Sequence, residues 1–334
     1  MKILITGAVG FIGSNLTKAL LAKGHSVVGL DDLSRGFLLN IEEFKGHPKF
    51  RFVMGDVRDE KLLNKITRGC DQIIHLAASK IPRYSDAMDT LLINAFGTKV
   101  VLDAAARNKT PKVMVASTSD VYGKNPNVPY SEDSDMVIGR PEVRRWSYAI
   151  SKMFEEQLVF AYHERHGLNA VVLRFFGGYG PNQHMTWWGG PQSVFINAAL
   201  DGEAMSLHGD GLQTRSFTFI SDHVDGIIAC AEKSEANNQV FNIGNNHEIA
   251  IKDLGTKIWK MIRPNEEPKV VYIPYETFGT YEDVKRRVPD VRKARSLLGF
   301  EPKVDLDHGL KKTIQWQVQR RRALGTSTPD VPIG

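Results

Sequence analysis

The sequence predicts an α/β protein built on a doubly wound parallel sheet and followed by a smaller C-terminal lobe. Short apolar runs alternate with helical patterns through the first half of the chain, which is typical of parallel strands joined by crossover helices. A glycine-rich turn, Gly7–Gly13, directly follows the first apolar run. After about residue 175 the alternation loosens, and glycine, proline and aromatic residues cluster in Gly177–Pro191.

The apolar runs and the patterns between them define the expected elements. Buried strands are predicted at Lys2–Thr6, Ser26–Leu30, Phe50–Met54, Gln72–Leu76, Lys112–Ala116 and Ala170–Arg174. Helices are predicted at Phe11–Lys23, Glu60–Thr67, Leu91–Asn108, Ser147–His166, Lys252–Ile262 and Leu306–Arg321. Right-handed crossovers would place helices on both faces of the sheet. We therefore expect one domain at residues 1–175, with parts of 215–250 in its core, and a substrate-binding lobe at 176–325.

Length and composition exclude several classes of protein. A chain of 334 residues with 42% hydrophobic and 24% charged residues can bury a large core. The net charge of +5 suits an anionic ligand, but no basic run or aromatic-basic motif indicates a nucleic-acid partner. No apolar stretch is long enough to span a membrane. Cys70 and Cys230 have neither the spacing of metal ligands nor that of a disulfide framework, so no metal is expected.

The two ends of the chain also carry expectations. Met1 leads directly into a strand pattern, so we expect no signal peptide and a cytoplasmic location. The tail Gly325–Gly334 is expected to fray.

The glycine-rich turn has the context of a dinucleotide site of the Rossmann type. A strand precedes Gly7–Gly13 and a helix follows, so free N–H groups and the positive end of the helix dipole could face a pyrophosphate. Asp31, at the end of the second strand, could accept hydrogen bonds from ribose hydroxyls and would repel a 2′-phosphate, which favours NAD over NADP. Arg35 leaves NADP open. Asp56 is placed to reach the adenine, or alternatively caps a helix from Arg58 onward.

A second motif indicates proton transfer from a hydroxyl. Tyr148 and Lys152 lie four residues apart, on one face of a predicted helix. A neighbouring ammonium and a positive nicotinamide ring would both lower the pKa of the phenol, so that it could act as a base. The hydroxyl-rich segment Ala116–Gly123 ends a strand at the ligand-binding edge of the sheet, where Thr118 could bind the same oxygen. Alternatively, Ser117–Ser119 are only turn residues.

With these residues in place, the chain resembles the extended short-chain dehydrogenase/reductase family of nucleotide-sugar epimerases, dehydratases and decarboxylases. The resemblance extends from Met1 to about residue 320. Its motifs, in chain order, are GAVGFIG at 7–13, DDLSRG at 31–36, GDVRD at 55–59, HLAA at 75–78, Asn94 with Gly97-Thr98, STSDVYG at 117–123, YAISK at 148–152, LRFFGGYGP at 173–181, HGDGLQTRSFTFISD at 208–222, FNIG at 241–244 and RRVPD at 286–290.

The resemblance implies a set of site residues. Those expected to contact NAD are Gly7, Gly10, Phe11, Ile12, Gly13, Asp31, Asp32, Ser34, Asp56, Val57, Leu76, Ala77, Ala78, Asn94, Ser117, Tyr148 and Lys152. Those expected to contact the nucleotide sugar are Lys80, Thr118, Gly177, Trp187, Trp188, Gln213, Arg215 and Arg287. The expected catalytic residues are Thr118, Asp120, Tyr148 and Lys152. The guanidinium groups of Arg215 and Arg287 match the geometry of a diphosphate, and UDP is the favoured nucleotide.

Asp120 leaves the outcome of sugar oxidation open. The family resemblance implies a transient 4-keto sugar. An acid at position 120 could remove the C5 proton, which would permit loss of water, or could lie beside a leaving carboxylate. Alternatively, it is a structural hydrogen-bond acceptor. The segments RRWSYAISK at 144–152 and EDVKRRVPD at 282–290 are similar to the decarboxylase domain of the bacterial UDP-glucuronate-processing enzyme of lipid A modification, where the arginine matching Arg287 assists catalysis.

Residues 177–188 depart from the family pattern. The family usually has asparagine where this chain has Gly177, and that asparagine contacts substrate. His184, Trp187 and Trp188 follow in a stretch expected to line the sugar or base pocket. The two tryptophans either fill space as a hydrophobic plug or stack on a ring of the substrate.

The favoured interpretation is an NAD-dependent 4-epimerase acting on a nucleotide sugar, because it needs only residues that are plainly present. A dehydratase or a UDP-glucuronate decarboxylase that uses Asp120 is the alternative. From another class, a catalytically silent protein that binds NAD and a nucleotide stays open, as does an alcohol dehydrogenase that exchanges NAD freely. By the resemblance, a homodimer is expected to form through the helices near 91–108 and 147–166.

Overall fold

A computed structural model describes residues 1–80 and 86–326 of the chain. The strands are β1 (Lys2–Thr6), β2 (Ser26–Asp31), β3 (Phe50–Met54), β4 (Gln72–His75), β5 (Lys112–Thr118), β6 (Asn169–Phe175), β7 (Gly178–Tyr179), β8 (Met205–His208), β9 (Thr214–Ser216), β10 (Thr218–Phe219), β11 (Gln239–Ile243), β12 (Glu248–Ala250), β13 (Val270–Ile273) and β14 (Arg286–Arg287). The α-helices are α1 (Phe11–Ala22), α2 (Glu60–Ile66), α3 (Ala87–Arg107), α4 (Trp146–His166), α5 (Pro191–Asp201), α6 (Ile220–Glu232), α7 (Ile251–Ile262), α8 (Arg292–Leu298) and α9 (Leu306–Ala323).

The main sheet confirms the predicted parallel, doubly wound arrangement. Its strands lie in the order β11-β6-β5-β4-β1-β2-β3, and every neighbouring pair is parallel. The chain starts in β1, winds outward to β3, and then returns past β1 to β4 and beyond. The reversal brings the carboxyl ends of β1 and β4 side by side, with Thr6 in register with His75. A crevice at such a switch point is where ligands bind in this fold.

Neighbouring residues of a strand point to opposite faces of the sheet. A layer of helices covers each face and buries the side chains there. On one face, Ile5 of β1 belongs to the same buried core as Leu16 of α1 and Ile227 of α6. On the other face, Leu4 shares a core with Val101 of α3 and Val159 of α4. The strands are therefore buried on both sides, as their nearly continuous apolar sequences predict.

The predicted elements of the first half are present, and most of their ends shift by only a few residues. The largest difference is at α3, which begins at Ala87 rather than Leu91. The Asp86 carboxylate accepts a hydrogen bond from the Met88 N–H (2.6 Å), and such a cap fixes the start of a helix one turn earlier than the apolar pattern indicates. The strands and helices between β6 and α7, including α5 and α6, were not predicted from the sequence.

Short sheets beyond β6 bring two distant arginines together. In the sheet ordered β12-β9-β14, Arg215 of β9 is in register with Arg287 of β14.

Among the described residues no helix is both long enough and apolar enough to cross a membrane. The division at residue 175 and the cytoplasmic location stay predictions. The tail predicted to fray lies outside the described residues from position 327 onward.

Candidate active site

One large cleft, of about 750 Å³, runs along the carboxyl ends of the main strands. Its lining includes every residue predicted to contact cofactor or substrate except Asn94. Asn94 is buried behind the wall, where its amide pairs with the Ser79 backbone (2.8 and 3.0 Å) and with the Ser151 hydroxyl (2.9 Å). It supports the wall of the cleft and does not line it.

The turn after β1 forms a cradle made of backbone. Gly7 has φ +71°, and a Cβ there would lie 2.9 Å from the Ala77 nitrogen. A Cβ at Gly13 would overlap the Gly7 carbonyl oxygen. The first intrahelical hydrogen bond of α1 starts at the Ser14 N–H (3.0 Å), so the preceding N–H groups of the first turn are available at the cleft. The cradle fits a pyrophosphate.

Asp31 is buried at the end of β2 and belongs to the same site. One carboxylate oxygen accepts from the Val9 N–H (3.1 Å) and the other from the Leu33 N–H (2.9 Å). Each oxygen keeps a further acceptor position, which suits ribose hydroxyls. Burial raises the pKa of Asp31, although the two backbone hydrogen bonds oppose the rise. Arg35 is the residue for which the sequence kept NADP possible as the cofactor. Its guanidinium lies 3.8 Å from the Trp188 ring centroid and stacks on that ring.

The helix-capping alternative for Asp56 is wrong. Helix α2 begins at Glu60, and its cap is Asp59, whose carboxylate accepts from the Leu62 N–H. Asp56 lines the cleft and is held by the backbone and guanidinium of Arg58, which lowers the pKa of Asp56.

Thr118, Tyr148 and Lys152 meet where β5 ends against the first turns of α4. The Thr118 hydroxyl hydrogen-bonds the Tyr148 phenol. The Lys152 ammonium is buried and donates to the Ala116 carbonyl (2.9 Å) and to the Glu155 carboxylate (3.0 Å). The hydroxyl, phenol and ammonium thus line one point of the cleft, as the spacing predicted.

The expected lowering of the Tyr148 pKa is not found in the protein alone. Burial, followed by the charges of Asp120 and Glu155, raises the pKa of Tyr148 well above its usual value. The Thr118 hydrogen bond and the charge of Arg287 oppose the rise only in part. The sequence placed an ammonium four residues from the phenol, but it did not indicate that burial and the charges of Asp120 and Glu155 would outweigh that ammonium. Positive charge from a bound nicotinamide ring is what would favour the phenolate.

Asp120 lies in a clamp of arginines. Its carboxylate binds Arg287 and also accepts from the Arg145 guanidinium (3.2 Å). Burial disfavours the charged carboxylate, but the charges of Arg287, Arg145 and Arg215 outweigh burial and lower the pKa of Asp120. Asp120 is therefore a carboxylate of low basicity.

A second carboxylate completes the cluster. Asp283 accepts from Arg145 (2.8 Å) and from Arg215 (3.1 Å), and it also binds the Tyr275 hydroxyl. Burial opposes its ionisation, yet the two arginines hold the pKa of Asp283 far below the usual range. Sequence reasoning missed Arg145 and Asp283 as site residues, although both lie in the segments at 144–152 and 282–290 that it singled out.

The structure explains the glycine at position 177. A Cβ at Gly177 would lie 2.5 Å from the Ser216 carbonyl oxygen and 2.9 Å from the Phe217 ring. An asparagine would not fit against this segment without a shift of the backbone. The segment between β6 and β7 approaches the end of β9 so closely that backbone packing takes the place of a side chain at position 177.

The two tryptophans have different environments. Trp187 stacks on His208 (4.3 Å between ring centroids) and meets Phe195 edge-on, so it fills space as a plug. Trp188 stacks on the Arg35 guanidinium. Gln213 donates to the His208 carbonyl (3.1 Å) beside this plug.

Lys80 also lines the cleft. Desolvation in the cleft lowers its pKa, while the charge of Asp120 opposes the change.

Comparisons with known proteins identify a family and relatives to which the chain is similar. The family model described as GDP-mannose 4,6 dehydratase matches residues 4–313. The chain is 35% identical to the UDP-N-acetyl-alpha-D-glucosaminuronate decarboxylase of Bacillus cytotoxicus, covering 94% of this chain and 97% of the relative. It is 36% identical to UDP-glucuronic acid decarboxylase 1 of Danio rerio, covering 94% of this chain and 72% of the relative.

A solved structure agrees over nearly the whole chain. The UDP-glucuronic acid 4-epimerase of Bacillus cereus, in complex with UDP-glucuronic acid and NAD, superposes with a TM-score of 0.86 at 29% identity, covering 96% of this chain and 100% of that one. The chain belongs to the extended short-chain dehydrogenase/reductase family of nucleotide-sugar enzymes. It is an NAD-dependent enzyme that modifies nucleotide sugars.

Proposed function

We propose that this enzyme decarboxylates a UDP-hexuronate, a UDP sugar whose C6 is a carboxylate. The observation that carries the proposal is the clamp on Asp120: Arg287 and Arg145 keep this carboxylate ionised and weakly basic beside Tyr148. Two relatives that cover most of the chain are decarboxylases of such sugars. The sugars in the names of these two relatives share the UDP group and the uronate.

The charges of the site suit a substrate with two anionic groups, a diphosphate and a carboxylate. Three guanidinium groups, those of Arg145, Arg215 and Arg287, face the two carboxylates of Asp120 and Asp283, which leaves one net positive charge in the cluster. Guanidinium forks match both phosphate and carboxylate oxygens. A diphosphate and a sugar carboxylate can therefore both find partners along this wall.

The chemistry follows from Tyr148 and the keto intermediate. Tyr148 takes the proton of the sugar 4-hydroxyl, with Thr118 hydrogen-bonded at the same oxygen. Bound NAD would supply the acceptor for the C4 hydride, and it would not be consumed because the hydride is returned to the sugar. With a ketone at C4, the C6 carboxylate is β to a carbonyl. The electrons of the C5–C6 bond move toward the C4 oxygen as carbon dioxide leaves, and a solvent proton is added at C5.

Decarboxylation fits this site better than loss of water. Dehydration requires a base that removes the C5 proton, and a carboxylate held by two guanidinium groups is a poor base. Decarboxylation requires no base at C5, because the leaving carboxylate itself supplies the electron pair. Asp120 then serves to hold Arg287 at the sugar.

Epimerisation is the outcome that we favoured from the sequence, and it requires the keto sugar to present its other face before hydride returns. If the arginine cluster holds the sugar carboxylate, it opposes this rotation of the keto sugar. The B. cereus neighbour is a 4-epimerase bound to a uronate, so only the product distinguishes the two reactions.

The test is the product mass. Purified enzyme with NAD is incubated with UDP-glucuronate, with UDP-N-acetylglucosaminuronate and with UDP-glucose as the control that lacks a carboxylate. Loss of carbon dioxide from a uronate supports the proposal. Unchanged mass with a new anomeric NMR pattern would establish an epimerase, and loss of water a dehydratase. No change with either uronate would contradict the proposal.

We also propose that two copies pair through α3 and α4. Leu92 and Phe96 on α3, and Ile150 and Phe154 on α4, are large hydrophobic side chains with 39–54% exposure. The two helices pack on each other, so these side chains form a patch across both. Apolar patches of this kind are typical of interfaces, and the occupant we expect is the same patch of a second copy.

A further inference from the structure

Two adjacent glutamates on α4 are buried, and each binds a different cation. Glu156 pairs with Arg174 (2.7 Å) and accepts from the Ser117 hydroxyl. Glu155 pairs with Lys152 (3.0 Å), the ammonium next to the proposed base. The proposed mechanism gives Glu155 no role.

The contacts of Glu155 fix the position of the ammonium. One oxygen, Oε2, accepts from both Lys152 and the Thr98 hydroxyl (2.8 Å). The other, Oε1, is buried and has no hydrogen-bond partner among the described residues. With the Ala116 carbonyl as its second acceptor, the Lys152 ammonium is held by two partners and keeps one donor for the cleft.

A directional chain of hydrogen bonds connects this pair to the glycine-rich turn Gly7–Gly13, called the cofactor turn below. The Thr98 hydroxyl donates its only hydrogen to the carboxylate, so the contact with His75 Nε2 (3.0 Å) requires a hydrogen on that nitrogen. His75 Nδ1 then accepts from the Thr6 hydroxyl (2.7 Å), which itself accepts from the N–H groups of Leu76 and Ala77. Burial lowers the pKa of His75 to about 3, in agreement with a neutral ring.

We propose that Glu155 is a positioning residue that sets the orientation and the effective charge of Lys152, and that the Thr98–His75–Thr6 chain ties this setting to the cofactor turn. The inference rests on the proposed role of Tyr148 as base. Burial raises the pKa of Glu155, but the charge and hydrogen bond of Lys152 and the Thr98 hydrogen bond oppose the rise. With Glu155 ionised, the charge of Lys152 is largely offset, so Lys152 by itself does not activate the phenol. Activation then depends on the charge of the bound cofactor.

Charged groups on several elements face Tyr148. Asp120, after β5, and Glu155, on the same helix, raise the pKa of the phenol, and Arg287 of β14 lowers it. On α4, seven residues separate the phenol from Glu155, or about 10 Å along the axis. At that distance, removal of one charge in a partly buried site shifts a pKa by about one unit.

The experiment is an alkaline titration that needs no substrate. Tyrosinate absorbance is recorded for the NAD-loaded enzyme and for Glu155→Gln, and the Tyr148→Phe version of each is subtracted. We expect the Tyr148 curve to lie about one pH unit lower in Glu155→Gln. Glu155→Asp, which keeps the charge, should return the curve toward that of the wild type. Coincident curves for wild type and Glu155→Gln would overturn the proposal.

A neutral double variant covers the case in which Glu155→Gln fails to fold. Lys152→Met with Glu155→Gln removes both charges, so no buried ion is left unpaired. If Glu155 offsets Lys152, the Tyr148 curve of the double variant stays close to that of the wild type. A clearly higher curve would mean that Lys152 acts uncompensated, and the proposal would fail. Because no sugar is present, either outcome is independent of whether the enzyme decarboxylates.

Discussion

The carboxylate of Asp120 lies 3.2 Å from the guanidinium of Arg145, and the same oxygen also binds Arg287. Asp120 follows the end of β5, Arg145 immediately precedes α4, and Arg287 belongs to β14. One carboxylate therefore joins three separate segments around the proposed site of chemistry. Arg145 extends the network because it also pairs with Asp283.

Asp120→Asn should lower the rate of decarboxylation by about 100-fold, because it removes the charge that holds Arg287 at the sugar. The change is read as kcat for release of carbon dioxide from the uronate that proves to be the substrate. Asp133→Asn makes the same chemical change at an exposed position and should leave kcat within about twofold. Full activity in Asp120→Asn would remove this residue from the mechanism.

The oxidation step should accelerate as the pH rises. Burial and the nearby carboxylates raise the pKa of Tyr148, so the phenolate fraction is small near neutral pH and grows toward alkaline pH. The rate is measured as the transient rise in NADH absorbance after mixing with substrate. Tyr148→Phe should abolish this signal, a loss of about 1,000-fold or more, while NAD remains bound. A rate independent of pH would argue against Tyr148 as the base.

Gly177→Asn, which restores the usual family residue, should destabilise the protein by about 1–3 kcal/mol, because the new side chain meets the Ser216 carbonyl and the Phe217 ring. Thermal unfolding measures the change in melting temperature. At Gly46, an added Cβ has open space around it, so Gly46→Asn should leave the melting temperature nearly unchanged. Equal effects of the two substitutions would contradict the packing argument.

Phe96→Glu and Phe154→Glu should convert the expected dimer to a monomer, because each places a charge in the patch between α3 and α4. Sedimentation at micromolar concentration distinguishes the two states. Met54→Glu, at an exposed position on β3, is the matched control and should leave the dimer intact. If the wild-type protein is already a monomer, the pairing proposal is wrong.

Much of the site could be predicted because its residues lie close together in the chain. The turn Gly7–Gly13 needs only a strand before it and a helix after it, and four residues on one helix bring Tyr148 and Lys152 to one face. Such local rules also predicted most of the strands of the main sheet. They could not predict Arg145 or Asp283 as site residues, because a lone charge in a sequence is usually a surface charge.

The sequence by itself determined the fold class, the dinucleotide turn and the tyrosine, lysine and threonine of the site, since each depends on short spacings and on alternation along the chain. Only the tertiary structure decided the electrostatics. It brings Asp120 and Glu155 close enough to raise the pKa of Tyr148, and it joins Arg287 to Asp120 across 167 residues of sequence. Charges act through space and burial strengthens them, so their effect depends on distances that no sequence interval specifies.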